Sequence, residues 1–385
     1  MLTLRLTTTL ARSWLLLSKA ARRRNVTRGA IVVCMPLSAC GSGPDDPLSG
    51  DGDGTGGAQA SATGSSEMNA SSGGAVVAAG GTAAVGGTTS SGGALASGGD
   101  TLGPDGSGGS DAANWQLVWA DEFDGAAIDP TKWEHEVNCW GGGNNEDQCY
   151  VSDAKNAFTK DGVLHVVAIK DEPSGPEGGG SGSDAIVSKG HSSARLRTIN
   201  KGDFTYGRIE ARLKLPFGQG IWPAFWMLPT EEVYGGWALS GEIDIMEAVN
   251  LNPESEVHGT LHFGGAWPDN TSKGTSTTLN SPAWEDFHIY AVEWEEGEIR
   301  WFVDDTHYAT QTEWHSQSAP YPAPFNQRFH IIINLAVGGN WPGPPDTTTT
   351  FPQDYQVDYV RVYSCPLDPQ TGHGCGTSDP EIAPL

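Results

Sequence analysis

The chain has 385 residues, with 22 Lys and Arg against 47 Asp and Glu, a formal net charge of −25. That balance excludes a nucleic-acid partner, because a phosphate backbone is held by Lys and Arg. Fifty-two glycines and 14 tryptophans point instead to a turn-rich chain with a large aromatic surface, packed in a core or exposed for stacking.

Residues 1–40 open with a basic region: Arg12, Lys19, Arg22, Arg23, Arg24 and Arg28. The apolar run "AIVVCMPLSA" (30–39) follows. It is too short to cross a bilayer as a helix and reads as an export signal. It ends in "LSAC" before Gly41, which resembles the lipobox of a bacterial lipoprotein with Cys40 as the lipidated residue. An ordinary cleaved signal with an incidental cysteine is the alternative. The expected location is outside the cytoplasm, as a cell-surface lipoprotein or a secreted protein. Membrane contact would run only through the lipid. Residues 41–113 hold no aromatic residue, no Lys or Arg and no Cys. Such a segment buries too little apolar area to offset its ordering, so it reads as a disordered linker with a reach of roughly 45–50 Å.

Composition changes at "NWQLVWADEFDG", and residues 114–365 form the expected domain. Strand-like runs recur between turn signals: 162–169, 206–215, 242–249, 258–263, 287–294, 298–305, 328–337 and 356–363. In "RIEARLKL" the apolar Ile209, Ala211, Leu213 and Leu215 alternate with charged residues, as on a half-buried strand. Many short strands over such a length predict an all-β antiparallel sandwich of jelly-roll type. The glycine-rich 174–183 reads as a floppy surface loop, and 366–385 as a polar tail. Cys139 and Cys149 are ten apart, as are Cys365 and Cys375. In an exported protein two short-loop disulfides are the natural reading. Zinc competes, but no CxxC spacing occurs.

The stretch "GEIDIMEAVN" (241–250) carries Glu242, Asp244 and Glu247 among Ile243, Ile245 and Met246. Strict alternation places Glu242 and Asp244 on one face and Glu247 on the other, in the core. A lone buried carboxylate is costly. One surplus residue near Ile245 and Met246, a β-bulge, returns Glu247 to the face of the other two. The glutamates are then about four strand steps apart, roughly 13 Å between Cα atoms. Side chains leaning together bring the carboxyls to about 5 Å, the separation of retaining glycoside hydrolysis. A solvated acidic face and a calcium site are the alternatives.

"GEIDIME" resembles the active-site strand of glycoside hydrolase family 16 in its bulged form. "WGGGNNEDQCY" (140–150), the stretch 193–229, "HGTLHFGG" (258–265), "NLAVGGNWPG" (334–343) and "VDYVRVY" (357–363) agree with it. The resemblance is strongest to the bacterial laminarinases, which cut β-1,3-glucan internally. It implies Glu242 as nucleophile, Asp244 as its helper and Glu247 as general acid/base, with no cofactor for catalysis. A mixed-linkage glucanase, a galactanase or a transglycosylase of the family is one alternative. An inactive glycan-binding protein is another, against which both glutamates speak.

Sugars present apolar C–H faces and many hydroxyls, so a glycan cleft calls for aromatic platforms and planar polar groups. Trp341 lies on the glycine-rich "GGNWPG", where a core role is disfavoured. Trp222 and Trp226 share strand parity in "IWPAFWMLP". Core packing is the alternative for each. Asn144 and Arg195 match family positions that contact sugar hydroxyls. His262 is expected in the cleft near Glu247, or as a structural histidine. The resemblance also implies a structural calcium ion held by Glu122, the Gly162 carbonyl and Asp358. The partner is a β-glucan polysaccharide, and the protein is expected to be a monomer.

Overall fold

The computed structural model describes residues 114–385, apart from Asp305 and Ser378. The export signal, Cys40 and the linker 41–113 lie outside the described residues. Two eight-stranded sheets make the domain. The first runs Thr306–Gln311, Glu298–Val303, His288–Glu295, Gly207–Lys214, Gln353–Ser364, Val163–Ala168, Ala157–Lys160, with Gln116–Asp121 also on Gln353–Ser364. The second runs Asn270–Thr278, Glu256–Gly264, Glu242–Glu247, Ile221–Pro229, Phe329–Val337, Arg195–Arg197, Glu134–His135, with Asp203–Phe204 on Phe329–Val337. Every pairing within these two sheets is antiparallel. This is the expected jelly-roll sandwich.

Alternation decides which side chains fill the space between the sheets. Ile209, Ala211 and Leu213 from the first sheet are fully buried, as are Phe225, Met227, Ile331, Ile333 and Leu335 from the second. Trp294, Trp301, Tyr290, Phe325 and Phe329 join them. Large aromatics and aliphatic side chains share this apolar burial, which stabilises at roughly 25 cal/mol per Å². Buried Trp indoles need acceptors: Trp294 donates to the Phe325 carbonyl at 3.1 Å and Trp301 to the Asp244 carbonyl at 2.9 Å. The second bond crosses from one sheet to the acidic strand of the other.

The two disulfides form as expected, Cys139–Cys149 and Cys365–Cys375. The insertion expected to be floppy instead makes a small hairpin, Ser174–Pro176 against Ile186–Ser188. Gly179 and Gly180 pack against Trp140, where a Cβ at Gly180 would collide with the indole and one at Gly179 would be tight. The C-terminal stretch also departs from a loose tail. Thr377 donates through N and Oγ1 to buried Glu293 at 2.7 and 3.0 Å, and the Leu385 amide donates to the Thr310 carbonyl at 3.0 Å. Strand Asn270–Thr278 escaped the sequence reading because it holds only Asn, Thr, Ser, Lys and Gly, with no apolar alternation.

Candidate active site

The acidic strand Glu242–Glu247 lies between Ile221–Pro229 and Glu256–Gly264. Its register gives the bulge directly. Glu242 faces His262, Asp244 faces Thr260, and then Glu247 faces His258, so three steps on the acidic strand match two on its neighbour. On the other side Met246 pairs Phe225 and Asp244 pairs Trp226, leaving Ile245 surplus. Ile243, Ile245 and Met246 are all buried in the core, while the three carboxylates emerge on the opposite face. Gly241 leads into the strand at φ +84, and a Cβ there would meet the Phe325 ring at 2.9 Å; only glycine satisfies both conditions.

Each glutamate is oriented by an indole. Trp237 Nε1 donates to Glu242 Oε2 at 2.8 Å, and Trp222 Nε1 donates to Glu247 Oε1 at 2.9 Å. Trp226, on the same face as Trp222, donates to Asn334 Oδ1 at 2.6 Å and carries the Arg195 guanidinium over its ring at 4.7 Å. Arg195 is in turn paired with Glu136 at 3.0 Å. Trp341 stands edge-on to Trp222 at 5.3 Å and to His258 at 5.0 Å. Its loop is fixed through the Pro342 carbonyl, which accepts from Gln219 and Asn250. Asn144 reaches the same loop by backbone, its carbonyl accepting from Asn340 N at 2.7 Å. The expected aromatic and polar residues are therefore gathered around the acidic strand.

The geometry bears on two expectations. His262 sits in the cleft: the antiparallel register pairs it with Glu242 and gives His258 to Glu247, while the charge of His262 also acts on Glu247. Its Nε2 lies 3.2 Å from Asp244 Oδ2 and 3.6 Å from Glu242 Oε1. The calcium set does not fit an ion. Both Glu122 oxygens accept from Arg361, at 2.8 Å each, and Asp358 accepts from Arg212 at 2.6 Å. A hard cation needs six to eight oxygens, and here two guanidinium groups already neutralise the carboxylates.

Trp237 escaped the sequence reading. It is partly exposed on the glycine-containing loop before the acidic strand, and the reasoning that selected Trp341 would have found it.

The electrostatics separate the two glutamates. Burial, then Asp244, push Glu242 up to about 7, against the opposing effects of His262, Trp237 and Arg195. Glu247 lies well above the ordinary glutamate range, through burial, Asp244 and Glu242, with His262 and the Trp222 bond opposing. Burial disfavours a charge on His262, but Glu242, Asp244 and Glu247 outweigh it and raise its pKa to about 9. The protonated form of Glu247 is therefore favoured, while a cationic imidazole lies against the other two acids.

A paired acid and base on a bulged strand, flanked by indoles, is the chemistry of a glycosidase. The family model for glycosyl hydrolases family 16 matches residues 144–361. The chain belongs to that family. It is 42% identical over 266 residues to glucan endo-1,3-beta-glucosidase A1 of Niallia circulans, covering 65% of this chain and 38% of that longer protein. It is 42% identical over 275 residues to a beta-glucanase of Rhodothermus marinus, covering 67% of this chain and 88% of the relative. The X-ray structure of the Rhodothermus marinus laminarinase superposes with a TM-score of 0.56, at 42% identity, over 65% of this chain and 97% of that one. The glycoside hydrolase is thus of a family whose members hydrolyse without a cofactor.

Proposed function

We propose that this glycoside hydrolase cuts internal β-1,3-glucosidic bonds of laminarin-like glucans with retention, by double displacement. The observation that supports it most is the bulge at Ile245, which turns Glu247 onto the face of Glu242. Glu242 attacks the anomeric carbon while Glu247 protonates the departing oxygen. Trp222 occupies Oε1 of Glu247, which leaves Oε2 to carry the proton. Once the sugar is bound to Glu242, Glu247 is the base that activates water. Trp237 and the charge of His262 favour ionised Glu242, the form a nucleophile needs. Asp244 lies between them, against His262, and its charge keeps Glu247 protonated.

Trp341, Trp222 and Trp226 supply flat faces for the pyranose rings, and Asn144 and Arg195 supply donors for hydroxyls. Relatives named for endo-1,3 cleavage support the linkage. The enzyme would act as a monomer, exported and tethered through a lipid on Cys40. Incubating the protein with laminarin tests the reading: new reducing ends should appear, first released as the β-anomer by proton NMR. Binding without release would instead favour a glycan-binding protein, and release from mixed-linkage glucan or galactan alone would favour another specificity.

A further inference from the structure

His262 Nε2 stands 3.2 Å from Asp244 Oδ2 and 3.6 Å from Glu242 Oε1. One ligand atom from each of the three residues lies within 4.8 Å of the others, the one such trio of His, Cys, Asp or Glu among the described residues. Zinc bonds of about 2.0–2.2 Å place tetrahedral ligands about 3.4 Å apart, so the two measured edges bracket that spacing. Asp244 Oδ2 is buried, and among the described residues its partner is the imidazole, an ion-pair contact at 3.2 Å. A metal ion would take the place of the imidazolium proton as the positive partner of that buried oxygen.

We propose that Glu242, Asp244 and His262 form a site for a divalent transition ion, zinc above all, and that this ion and the glucan exclude one another. Two carboxylates and an imidazole suit zinc and do not suit calcium or magnesium, which need more oxygens. Glu242 and His262 keep side-chain exposures of 14% and 22%, so water completes the shell from the open side. The ion takes the Nε2 lone pair, and any proton held there leaves to solvent. His262 Nδ1 has no partner, so the imidazole lacks the supporting bond of a permanent site. The bound ion is therefore exchangeable and inhibitory, because it occupies Glu242 Oε1. Binding depends only on this geometry; the inhibition rests on Glu242 being the nucleophile.

The test uses the full chain carrying Glu247→Gln, which slows turnover and keeps all three ligands. Cobalt(II) should give the visible band of a four-coordinate ion, and zinc should bleach it. His262→Gln should abolish the band with the fold intact by circular dichroism; Asp244→Asn serves if that variant does not fold. A glucan that the wild type cleaves should displace the cobalt. In the wild type, micromolar-to-millimolar zinc should slow hydrolysis and a chelator restore it. No band in the Glu247→Gln protein, or a band that survives His262→Gln, overturns the site. Cobalt retained under saturating glucan overturns the mutual exclusion. A wild type inert on laminarin but positive for cobalt would sink the glucan reading and leave the metal site standing.

Discussion

The indole of Trp222 donates to Glu247 Oε1 at 2.9 Å, from the strand next to the one that carries the acid. The bond opposes the upward shift of Glu247, so its removal pushes that pKa higher still. Trp222→Phe should therefore move the alkaline limb of kcat/KM to higher pH. It should also cost about tenfold in kcat, the order expected when one hydrogen bond to an ionisable group is lost. A pH profile on laminarin checks both effects. An alkaline limb that stays in place would show that another group controls it.

The acidic strand was legible because burial made it so. Three carboxylates among Ile243, Ile245 and Met246 admit one inexpensive arrangement, and the bulge follows from the cost of the alternative. Trp222 and Trp226 were legible for the same reason, since their parity is opposite to that of buried Phe225 and Met227 and leaves them the other face. The neighbour of Glu242 was not legible. Which histidine meets which glutamate depends on register between two strands, and "HGTLHF" does not state its own register. The polar strand Asn270–Thr278 and the docking of Thr377 on Glu293 rest on backbone pairing and a buried partner, neither of which leaves an apolar pattern.

His262 bears on the acidic limb. Its charge holds Glu242 down against burial and Asp244. Glu242 is raised above its unfolded value, so it is active as a nucleophile only above the folded pKa. With His262→Gln that pKa should rise, and the acidic limb should shift upward by about one pH unit. The loss of kcat/KM should be larger at pH 6 than at pH 8. An equal loss at both would mean His262 acts through substrate contact alone.

The two glutamates should fail differently. Glu247→Gln should lose about 10²–10⁴ in kcat on laminarin, the usual range for general acid catalysis. It should keep most of its first-step rate on an aryl glucoside whose leaving group needs no proton. Glu242→Gln should lose both, because no covalent intermediate forms. Comparing pre-steady-state release from the two substrates separates the roles.

Gly259 shows how the core supports the site. Any Cβ there would strike the Trp301 indole, which donates across the sandwich to the Asp244 carbonyl at 2.9 Å. Gly259→Ala should destabilise the fold by about 1–3 kcal/mol through overpacking. It should also lower kcat, since Asp244 and the bulge shift with their anchor. Thermal unfolding and laminarin kinetics together check this. Trp301→Phe, which drops the bond and leaves a cavity, should lower kcat with a comparable loss of stability.

The disulfide Cys139–Cys149 closes the loop that carries Asn144. That loop meets the Trp341 loop through Asn340 N to the Asn144 carbonyl at 2.7 Å and Asn145 Nδ2 to Asn340 Oδ1 at 2.9 Å. It holds the rim and leaves Glu242 and Glu247 untouched. Replacing both cysteines by serine should cost about 2–3 kcal/mol, the size expected for a short closed loop. KM for laminarin should rise while kcat stays near wild type, because substrate contacts loosen and the acid strand does not. Reducing the wild type with dithiothreitol should reproduce the KM change. A fall in kcat at constant KM would place the loop's influence on the acidic strand instead of the rim.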